Sequence, residues 1–300
     1  MTRRLYILPF DHRQSFLKIL GLDKKDLTAD ETASAADYKH LIYEGFLRAL
    51  EDGVSKSAAA ILVDEQFGSK IQGEARALGI TRILTVEKSG QDEFDFEYGD
   101  KFGEHIDKFK PEYVKALVRY NPDGPQDLNR RQAQRLKIIS DFCRQNSYGF
   151  LFELLAVPTP EQLAECHGNK DEYEKTKQFE VMIKSIAELQ GAGVEPDVWK
   201  IEGLEDGRQL REVIGQVRRD GRDGAGVVVL GRGEEEEKVR RWIEVAAGTE
   251  GVIGFAVGRT VFAKPLADYR QKVISRAEAA RTIAQNYKKF VDLFESADQA

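Results

Sequence analysis

The stretch PDVWKIEG, residues 196–203, places a lysine inside an apolar segment that has the length and composition of a buried strand. Side chains alternate between the two faces of a strand, so Trp199 and Ile201 share one face while Val198, Lys200 and Glu202 share the other. An ammonium group is costly to bury unless it has a partner or a chemical role. The fold must therefore bury this strand, and the ammonium group of Lys200 must have either a partner or a chemical role.

Similar apolar segments recur along the 300-residue chain and alternate with longer segments of helical spacing. In ADYKHLIYEGFLRALEDG, residues 36–53, apolar side chains return every three or four positions, as in an amphipathic helix. Eight strands alternating with helices over this length predict one α/β domain, a (β/α)8 TIM barrel over residues 1–300 with a C-terminal helix at about 276–297. A doubly wound open sheet is the alternative. The predicted strands are residues 5–11, 58–66, 82–87, 113–121, 149–156, 197–203, 226–233 and 251–259.

Composition narrows the classes of function. Hydrophobic residues make up 41% and charged residues 32% of the chain, as in water-soluble globular proteins, and no apolar run is long enough to cross a membrane. A formal net charge of -6 without a sustained basic stretch argues against nucleic acid as the main partner. The amino terminus lacks the features of a signal peptide, and Cys143 and Cys166 lack metal-ligand spacing. We therefore expect a cytoplasmic protein with a small-molecule partner, and its apolar helical faces would allow a homo-oligomer.

Charged side chains fall on strand faces that would point into the barrel. Alternation in FLFELL, residues 150–155, places Glu153 inward, and Lys200 points inward by the same rule. Because active sites of such barrels form at the carboxyl ends of the strands, the inward residues and those at strand ends are expected to converge there. These residues are Asp11, Asp64, Glu87, Lys115, Leu117, Arg119, Asn121, Glu153 and Lys200.

Each of these residues also has a structural interpretation. Strand lysines commonly lie at a sheet edge with the ammonium group in solvent, and Glu153 can serve as an ion-pair partner of Lys200 or Lys115. Asp11 and Asp64 can cap the elements that follow them, and a ring of carboxylates can hold a divalent cation. No histidine-based metal site is predicted, because the histidines show no ligand spacing. They are His12, His40, His105 and His167.

An inward lysine can also be a nucleophile. A desolvated lysine beside a second cation loses its proton more readily, and the neutral amine can attack a carbonyl carbon to form a Schiff base. The protonated imine is an electron sink, so a neighbouring carbon–carbon bond can break to leave an enamine. This is class I aldolase chemistry, and it also needs a general acid and base, a role that suits Glu153.

Seven motifs in order along the chain resemble the strand motifs of the class I aldolases that act on tagatose bisphosphate and sulfofructose phosphate. The resemblance covers Leu5 to about Leu266, and is greatest with the aldolase-like domain fused to bacterial 5-dehydro-2-deoxygluconokinases of inositol catabolism. The resemblance implies a TIM barrel that uses a lysine Schiff base. The motifs are ILPFDHRQSFLKIL at 7–20, AAILVDEQFG at 59–68, LTVEKSG at 84–90, YVKALVRYNPDG at 113–124, FLFELL at 150–155, DVWKIEG at 197–203 and GFAVGRTVF at 254–262.

The resemblance assigns roles to four residues. Lys200 of WKIE matches the Schiff-base lysine, and Glu153 of FLFELL matches the acid/base carboxylate. Asp11 of PFDHR matches an aspartate that contacts the substrate and assists proton transfer. Lys115 of VKALVRY matches a second active-site lysine, which favours the neutral form of the nucleophile.

The resemblance also implies a phosphate anchor after the last strands. Arg259 and the backbone at Gly258 match this anchor, and the glycines of the turn at 231–233 would expose N–H groups that favour an anion. This turn departs from the family, which has a small hydroxyl-bearing turn there, and the glutamates at 234–237 would repel a phosphate unless they point outward. The predicted substrate-binding residues are Arg13, Asp64, Glu87, Arg119, Gly231, Gly233, Gly258 and Arg259, with Arg232 as a further candidate.

The sequence thus predicts a class I aldolase of a phosphorylated keto sugar or keto acid, without a metal or other cofactor. The resemblance implies 6-phospho-5-dehydro-2-deoxy-D-gluconate as the substrate, dihydroxyacetone phosphate and malonate semialdehyde as the products, and a functional link to a sugar kinase. The alternatives are an aldolase for tagatose bisphosphate or sulfofructose phosphate, a noncatalytic barrel that binds sugar phosphates, and a metal-dependent lyase that uses Asp11, Asp64 and Glu87 as ligands.

Overall fold

Eight parallel strands form a closed barrel in which each strand pairs with its sequence neighbours and the first strand closes against the last. The structure is a computed structural model, and it describes residues 4–22 and 26–297. The predicted (β/α)8 barrel is confirmed, and the open-sheet alternative is wrong. The strands are β1 Leu5–Pro9, β2 Ala59–Val63, β3 Thr81–Thr85, β4 Tyr113–Tyr120, β5 Gly149–Ala156, β6 Val198–Glu202, β7 Gly226–Leu230 and β8 Val252–Ala256.

Helices follow the strands and pack around the outside of the barrel. None of the helices within the described residues combines the length and the apolar character needed to span a membrane. The helices are α1 Gln14–Ile19, α2 Ala29–Glu51, α3 Glu65–Ala77, α4 Phe102–Phe109, α5 Gln126–Gln145, α6 Pro160–Glu165, α7 Lys170–Thr176, α8 Gln178–Gly191, α9 Gly207–Val217, α10 Glu236–Ala247, α11 Arg259–Arg270 and α12 Arg276–Ala297.

The predicted face assignment of the strands is confirmed. Val198 lies in the barrel interior, whereas Trp199 is fully buried in the helix layer and packs edge-to-face on Phe152, with ring centroids 5.1 Å apart. Small and branched side chains fill the interior below the charged residues, so the barrel is a packed core and not a pore. These interior residues are Leu5, Ile7, Ala60, Leu62, Ile83, Leu151, Val198, Val228, Ile253 and Ala256.

Several predicted strands are too long at their carboxyl ends. β1 ends at Pro9, β7 at Leu230 and β8 at Ala256, so the residues that follow belong to loops or to helix starts. Pairing stops there because the chain must leave the barrel wall to enter the next helix. This shortening matters for function, because it places Asp11 and Arg259 on loop backbone and at a helix start, both above the barrel wall.

The C-terminal helix α12 has the predicted bounds and lays its apolar stripe on its own barrel. Tyr287 donates a hydrogen bond of 2.7 Å from its hydroxyl to the carbonyl oxygen of Tyr6 in β1. Phe294 is fully buried, and its ring contacts those of Tyr6 and Phe255 at centroid distances of 5.6 and 6.0 Å. The apolar stripe of α12 therefore packs over β1 and β8 of its own barrel, which is the more common arrangement for such a helix.

We expect Phe294→Ala to lower the free energy of unfolding by roughly 3–5 kcal/mol, because it removes a buried aromatic side chain and leaves a cavity under α12. Urea unfolding followed by circular dichroism measures the change. Val273→Ala is the control, since Val273 is 67% exposed and its truncation should alter stability by no more than about 0.5 kcal/mol. Equal losses in the two variants would contradict the packing role of α12.

Candidate active site

A cleft of about 280 Å³ opens at the carboxyl ends of the strands, the end of the barrel where the sequence predicted a site. Residues from the loops after β1 and β3 form part of its wall, and inward residues of β4, β5 and β6 form its floor. The structure brings together in this cleft Asp11, Arg13, Glu87, Lys115, Arg119, Glu153 and Lys200.

Lys200 and Glu153 are neighbours in the strand register of β5 and β6 and point to the same side. The Nζ of Lys200 lies 2.8 Å from Oε2 of Glu153, and both residues are largely buried, at 4% and 7% exposure. The same Oε2 lies 3.0 Å from Nζ of Lys115. One carboxylate therefore connects two ammonium groups at the floor of an open cleft.

Lys115 is surrounded by carboxylates. Its Nζ lies 2.9 Å from Oδ2 of Asp11 and also donates a hydrogen bond to Glu87, in addition to its contact with Glu153. Burial by itself would lower the pKa of Lys115, but Asp11, Glu153 and Glu87 together raise it well above its usual range. These carboxylates therefore favour the charged form of Lys115 over the neutral amine that a nucleophile needs.

The ionised forms of Asp11 and Glu153 are favoured in turn by the two lysines. Burial alone would raise the pKa of Asp11 and of Glu153, but Lys115 and Lys200 more than offset this effect and lower both pKa values. In each case Lys115 contributes more than Lys200. Two buried carboxylates thus stay charged because two lysines share the floor with them.

Arg259 lies near this cluster but is not part of the cleft wall. Its guanidinium donates a hydrogen bond to the carbonyl oxygen of Arg232 and fills the space where a Cβ on Gly233 would be. Gly233 has a φ of +79°, and a side chain there would also collide with this guanidinium. Burial lowers the pKa of Arg259, whereas Glu153 and other acidic neighbours oppose the change.

The other two glycines of the predicted phosphate anchor allow close packing of the turns. A Cβ on Gly258 would lie 2.2 Å from the carbonyl oxygen of Pro9, and one on Gly231 would meet Val257 at 3.3 Å. Gly258 directly precedes α11, so the amino terminus of that helix faces the mouth of the barrel. The turns are thus packed against β1 and against each other, and the anchor role of these glycines stays a prediction.

Arg13, Arg119 and Asp64 have different environments. Arg13 lines the cleft, where it forms an ion pair of 2.7 Å with Glu97 and a hydrogen bond to the carbonyl oxygen of Glu87. Arg119 also lines the cleft. Asp64 does not: it forms a buried ion pair with Lys39 and caps α3 by accepting a hydrogen bond from the N–H of Phe67.

The three carboxylates of the metal-dependent alternative do not converge. Asp11 and Glu87 share Lys115, whereas Asp64 lies against Lys39. Across residues 4–22 and 26–297, no group of three or more His, Cys, Asp or Glu side chains is arranged to hold a metal ion. The proposed ligand triad of that alternative is therefore wrong.

Two features of the site escaped the sequence analysis. His12, considered there only as a metal ligand, lines the cleft beside Asp11, and burial lowers its pKa to about 4, so it is neutral at pH 7. Its position next to Asp11 in the sequence was the available signal. The second feature is the wall segment 88–94 after β3, whose polar composition reads as an ordinary surface loop.

Glu202 is a buried acid beside the cleft, and its charge depends on Arg232. Its Oε1 lies 2.7 Å from Nη1 of Arg232, and its Oε2 accepts a hydrogen bond of 3.0 Å from the N–H of Ala156. Burial raises its pKa from 4.5 to about 7, although Arg232 opposes the change. Arg232 also contacts Glu174 at 2.8 Å, so the turn after β7 is tied to α7 and to β6.

The geometry defines the class of protein as a (β/α)8 barrel with a buried cluster of lysines and carboxylates at the carboxyl ends of its strands. The chain belongs to the family described as "Uncharacterized protein conserved in bacteria (DUF2090)", whose model matches residues 1–298. No curated protein matches the chain significantly.

Solved structures share this fold. Fructose-bisphosphate aldolase from Plasmodium falciparum, in complex with TRAP and a small-molecule inhibitor, is 16% identical with a TM-score of 0.68, over 96% of this chain and 89% of that one. The YdjI aldolase from Escherichia coli K12 is 12% identical with a TM-score of 0.55, over 100% and 94% of the two chains. Fructose-bisphosphate aldolase from Slackia heliotrinireducens is also 12% identical with a TM-score of 0.55, over 94% and 86%. At these identities the similarity defines the fold, and the reaction must be argued from the site.

We expect Glu202→Gln to remove a pH-dependent part of the stability. Because the folded chain raises the pKa of Glu202 from 4.5 to about 7, this residue contributes most below about pH 4.5, and the contribution is lost as the pH rises to about 7. Between these two pH limits, the contribution of Glu202 to the free energy of unfolding changes by about 3 kcal/mol. Urea unfolding of both proteins at pH 5 and pH 8 measures it.

The wild type should therefore lose stability relative to Glu202→Gln between the two pH values. His12 acts in the opposite direction over part of this range, but its effect is the same in both proteins and cancels in the comparison. Glu205→Gln is the control, because Glu205 is exposed and pairs only at the surface with Arg241. A stability difference between wild type and Glu202→Gln that does not vary with pH would refute the role of Glu202.

Proposed function

We propose that this protein is a class I aldolase that cleaves a phosphorylated keto sugar or keto acid through a Schiff base on Lys200. The observation that carries the proposal is the floor of the cleft, where the Lys200 amine lies 2.8 Å from the Glu153 carboxylate. A nucleophile and a base within hydrogen-bond distance, in a cleft at the carboxyl ends of barrel strands, are the elements that covalent carbonyl chemistry requires.

The reaction begins when Nζ of Lys200 adds to the ketone carbon of the substrate, and loss of water gives a protonated imine. The bond between the α and β carbons then breaks, and its electron pair moves into the imine to form an enamine. The proton of the β-hydroxyl passes to a base as that carbon becomes an aldehyde and leaves. Protonation of the enamine carbon and hydrolysis of the imine release the ketone product and restore the amine.

Glu153 is the proposed acid and base for these steps. Its carboxylate is already within 2.8 Å of the amine, a distance at which a proton can pass between the two groups. Lys115 has a different role, because Asp11 and Glu87 hold it as a fixed cation on the other side of Glu153. Asp11 is placed to contact the substrate beside Lys115.

The phosphate of the substrate is proposed to bind between the turn at 231–233 and the start of α11. Arg259 supplies the positive charge, and the N–H groups near Gly258 face the mouth at a helix amino terminus. The side chain of Arg232 points towards Glu174 and Glu202, and its backbone carbonyl oxygen contacts Arg259.

The resemblance to the aldolase-like domains of inositol catabolism names the substrate. We propose 6-phospho-5-dehydro-2-deoxy-D-gluconate, which would give dihydroxyacetone phosphate and malonate semialdehyde, and a sugar kinase would supply the phosphate ester. Tagatose bisphosphate and sulfofructose phosphate are the competing substrates of the same mechanism, and identification of the aldehyde product by mass spectrometry separates the three. A noncatalytic barrel would bind the sugar phosphate without forming any of these products.

Borohydride should trap dihydroxyacetone phosphate on Lys200, because reduction of the imine makes the adduct permanent. Peptide mapping by mass spectrometry should place the added mass on the peptide that contains Lys200. We expect Lys200→Met to abolish the adduct. Lys88→Met is the matched control, since Lys88 lines the same cleft but pairs with Asp95 at 2.7 Å near its rim, and this variant should retain the adduct.

Calorimetry of dihydroxyacetone phosphate binding to the wild type completes the test. Binding without any adduct would reject the Schiff-base mechanism and favour a noncatalytic barrel. An adduct on a lysine other than Lys200 would reject the assignment of the nucleophile while keeping the reaction class.

We expect Glu153→Gln to lower the turnover number by about 10²–10⁴-fold, the usual contribution of a positioned acid or base. The amide keeps the size of the side chain but accepts protons poorly. Steady-state cleavage assays measure the loss, and trapping on Lys200 should still succeed after longer incubation. Glu195→Gln is the control, because Glu195 pairs with Arg222 away from the cleft, and a similar loss in that variant would argue against a specific role for Glu153.

A further inference from the structure

Two arginines that form no ion pair within residues 4–22 and 26–297 lie on opposite sides of the barrel mouth. Arg119 is near the end of β4, and Arg259 begins α11 directly after β8. In the closed order of eight strands, β4 and β8 are four strands apart in either direction, so they face each other across the barrel. The strand that carries Lys200, β6, lies midway between them.

Arg119 continues the inward face of β4 towards the mouth. Lys115, Leu117 and Arg119 all line the cleft, as alternate residues of one strand should. Leu117 pairs in register with Glu153, so Arg119 lies two residues, roughly 7 Å along the strand, above the level of that carboxylate. A substrate bound to Lys200 would therefore meet Arg119 with atoms beyond the reacting carbons.

Among the described residues, no carboxylate forms an ion pair with Arg119, in contrast to other cationic side chains at this end of the barrel. Arg13 pairs with Glu97, Lys88 pairs with Asp95, and Arg232 pairs with two glutamates. Arg119 instead donates one hydrogen bond of 2.7 Å to the carbonyl oxygen of Gln91. No ion pair joins it to a carboxylate of residues 4–22 or 26–297, even though Asp92 lines the same wall.

The wall that carries Gln91 is held in place by α5. Gln132 accepts a hydrogen bond of 2.8 Å from the N–H of Phe94 and donates one of 3.2 Å to the carbonyl oxygen of Arg119 itself. Glu93 is bound by Arg131 and Arg135 of the same helix. The bond to Gln91 therefore fixes one edge of the Arg119 guanidinium and leaves the rest of its planar donor set for a ligand.

We propose that Arg119 binds an anionic group on the half of the substrate that leaves as the aldehyde. This inference rests on the aldolase function proposed above, and it adds which residue recognises the charge at the aldehyde end of the substrate. The group is an oxyanion that accepts paired N–H bonds from a guanidinium, namely a carboxylate, a sulfonate or a phosphate. Arg119 is thus a specificity residue, remote from the bond that breaks.

The test is the condensation of dihydroxyacetone phosphate with four aldehydes: malonate semialdehyde, sulfolactaldehyde, glyceraldehyde 3-phosphate and uncharged glyceraldehyde. We expect the wild type to prefer one of the charged aldehydes. Arg119→Met should lower kcat/KM for that aldehyde by about 10- to 100-fold, mainly through KM, while the value for glyceraldehyde stays the same. Arg119→Lys should restore part of the loss, and Arg130→Met, on the exposed face of α5, should change neither value.

Failure of this inference is distinguishable from failure of the proposed function. The borohydride adduct of dihydroxyacetone phosphate on Lys200 should persist in Arg119→Met, because it involves only the other half of the substrate. If this adduct forms but glyceraldehyde is preferred, or if Arg119→Met affects charged and uncharged aldehydes equally, the role of Arg119 is refuted. If the wild type forms no adduct, both the proposed aldolase function and the role of Arg119 are rejected.

Discussion

The contact of one carboxylate with two lysines organises the interior of this barrel at the carboxyl ends of its strands. Glu153 lies within 3.0 Å of both Lys200 and Lys115, and all three side chains are largely buried. A lone charge at such depth would be strongly unfavourable, and removal of one partner from a buried ion pair leaves the other uncompensated. Each of these residues therefore depends on the others, and Asp11 and Glu87 supply further negative charge beside Lys115.

The barrel accommodates this charged cluster because its interior has an apolar region and a charged region at different levels along its axis. Below the charges, aliphatic side chains such as Leu151 and Val198 fill the interior, while the charged residues occupy the next inward positions of the same strands. Alternation and parallel register bring Glu153 and Lys200 side by side without any special local conformation. The packed lower half excludes water from below the charged residues. The upper half opens into the cleft.

Much of this arrangement follows from short-range patterns in the sequence. The strand period placed Val198 and Lys200 inward and Trp199 outward, and the amphipathic stripe of α12 located its packing face. Strand ends were less well defined: β1 stops at Pro9 and β8 at Ala256, because pairing ends where the chain turns out of the barrel wall. One more apolar residue, Phe10 or Val257, follows each of these strands, so apolar composition alone does not mark the last paired residue.

The sequence by itself determined the fold class, which follows from eight strand segments alternating with helical segments. It also determined the inward direction of Lys115, Glu153 and Lys200, which follows from the period of two within each strand. Only the tertiary structure decided the partners. Lys115 meets Asp11 from 104 positions away, whereas Asp64, of the same residue type and also at a strand end, pairs with Lys39. These pairings form only when strands and helices that are far apart in the sequence come together around the barrel axis. No local sequence pattern specifies which of them meet.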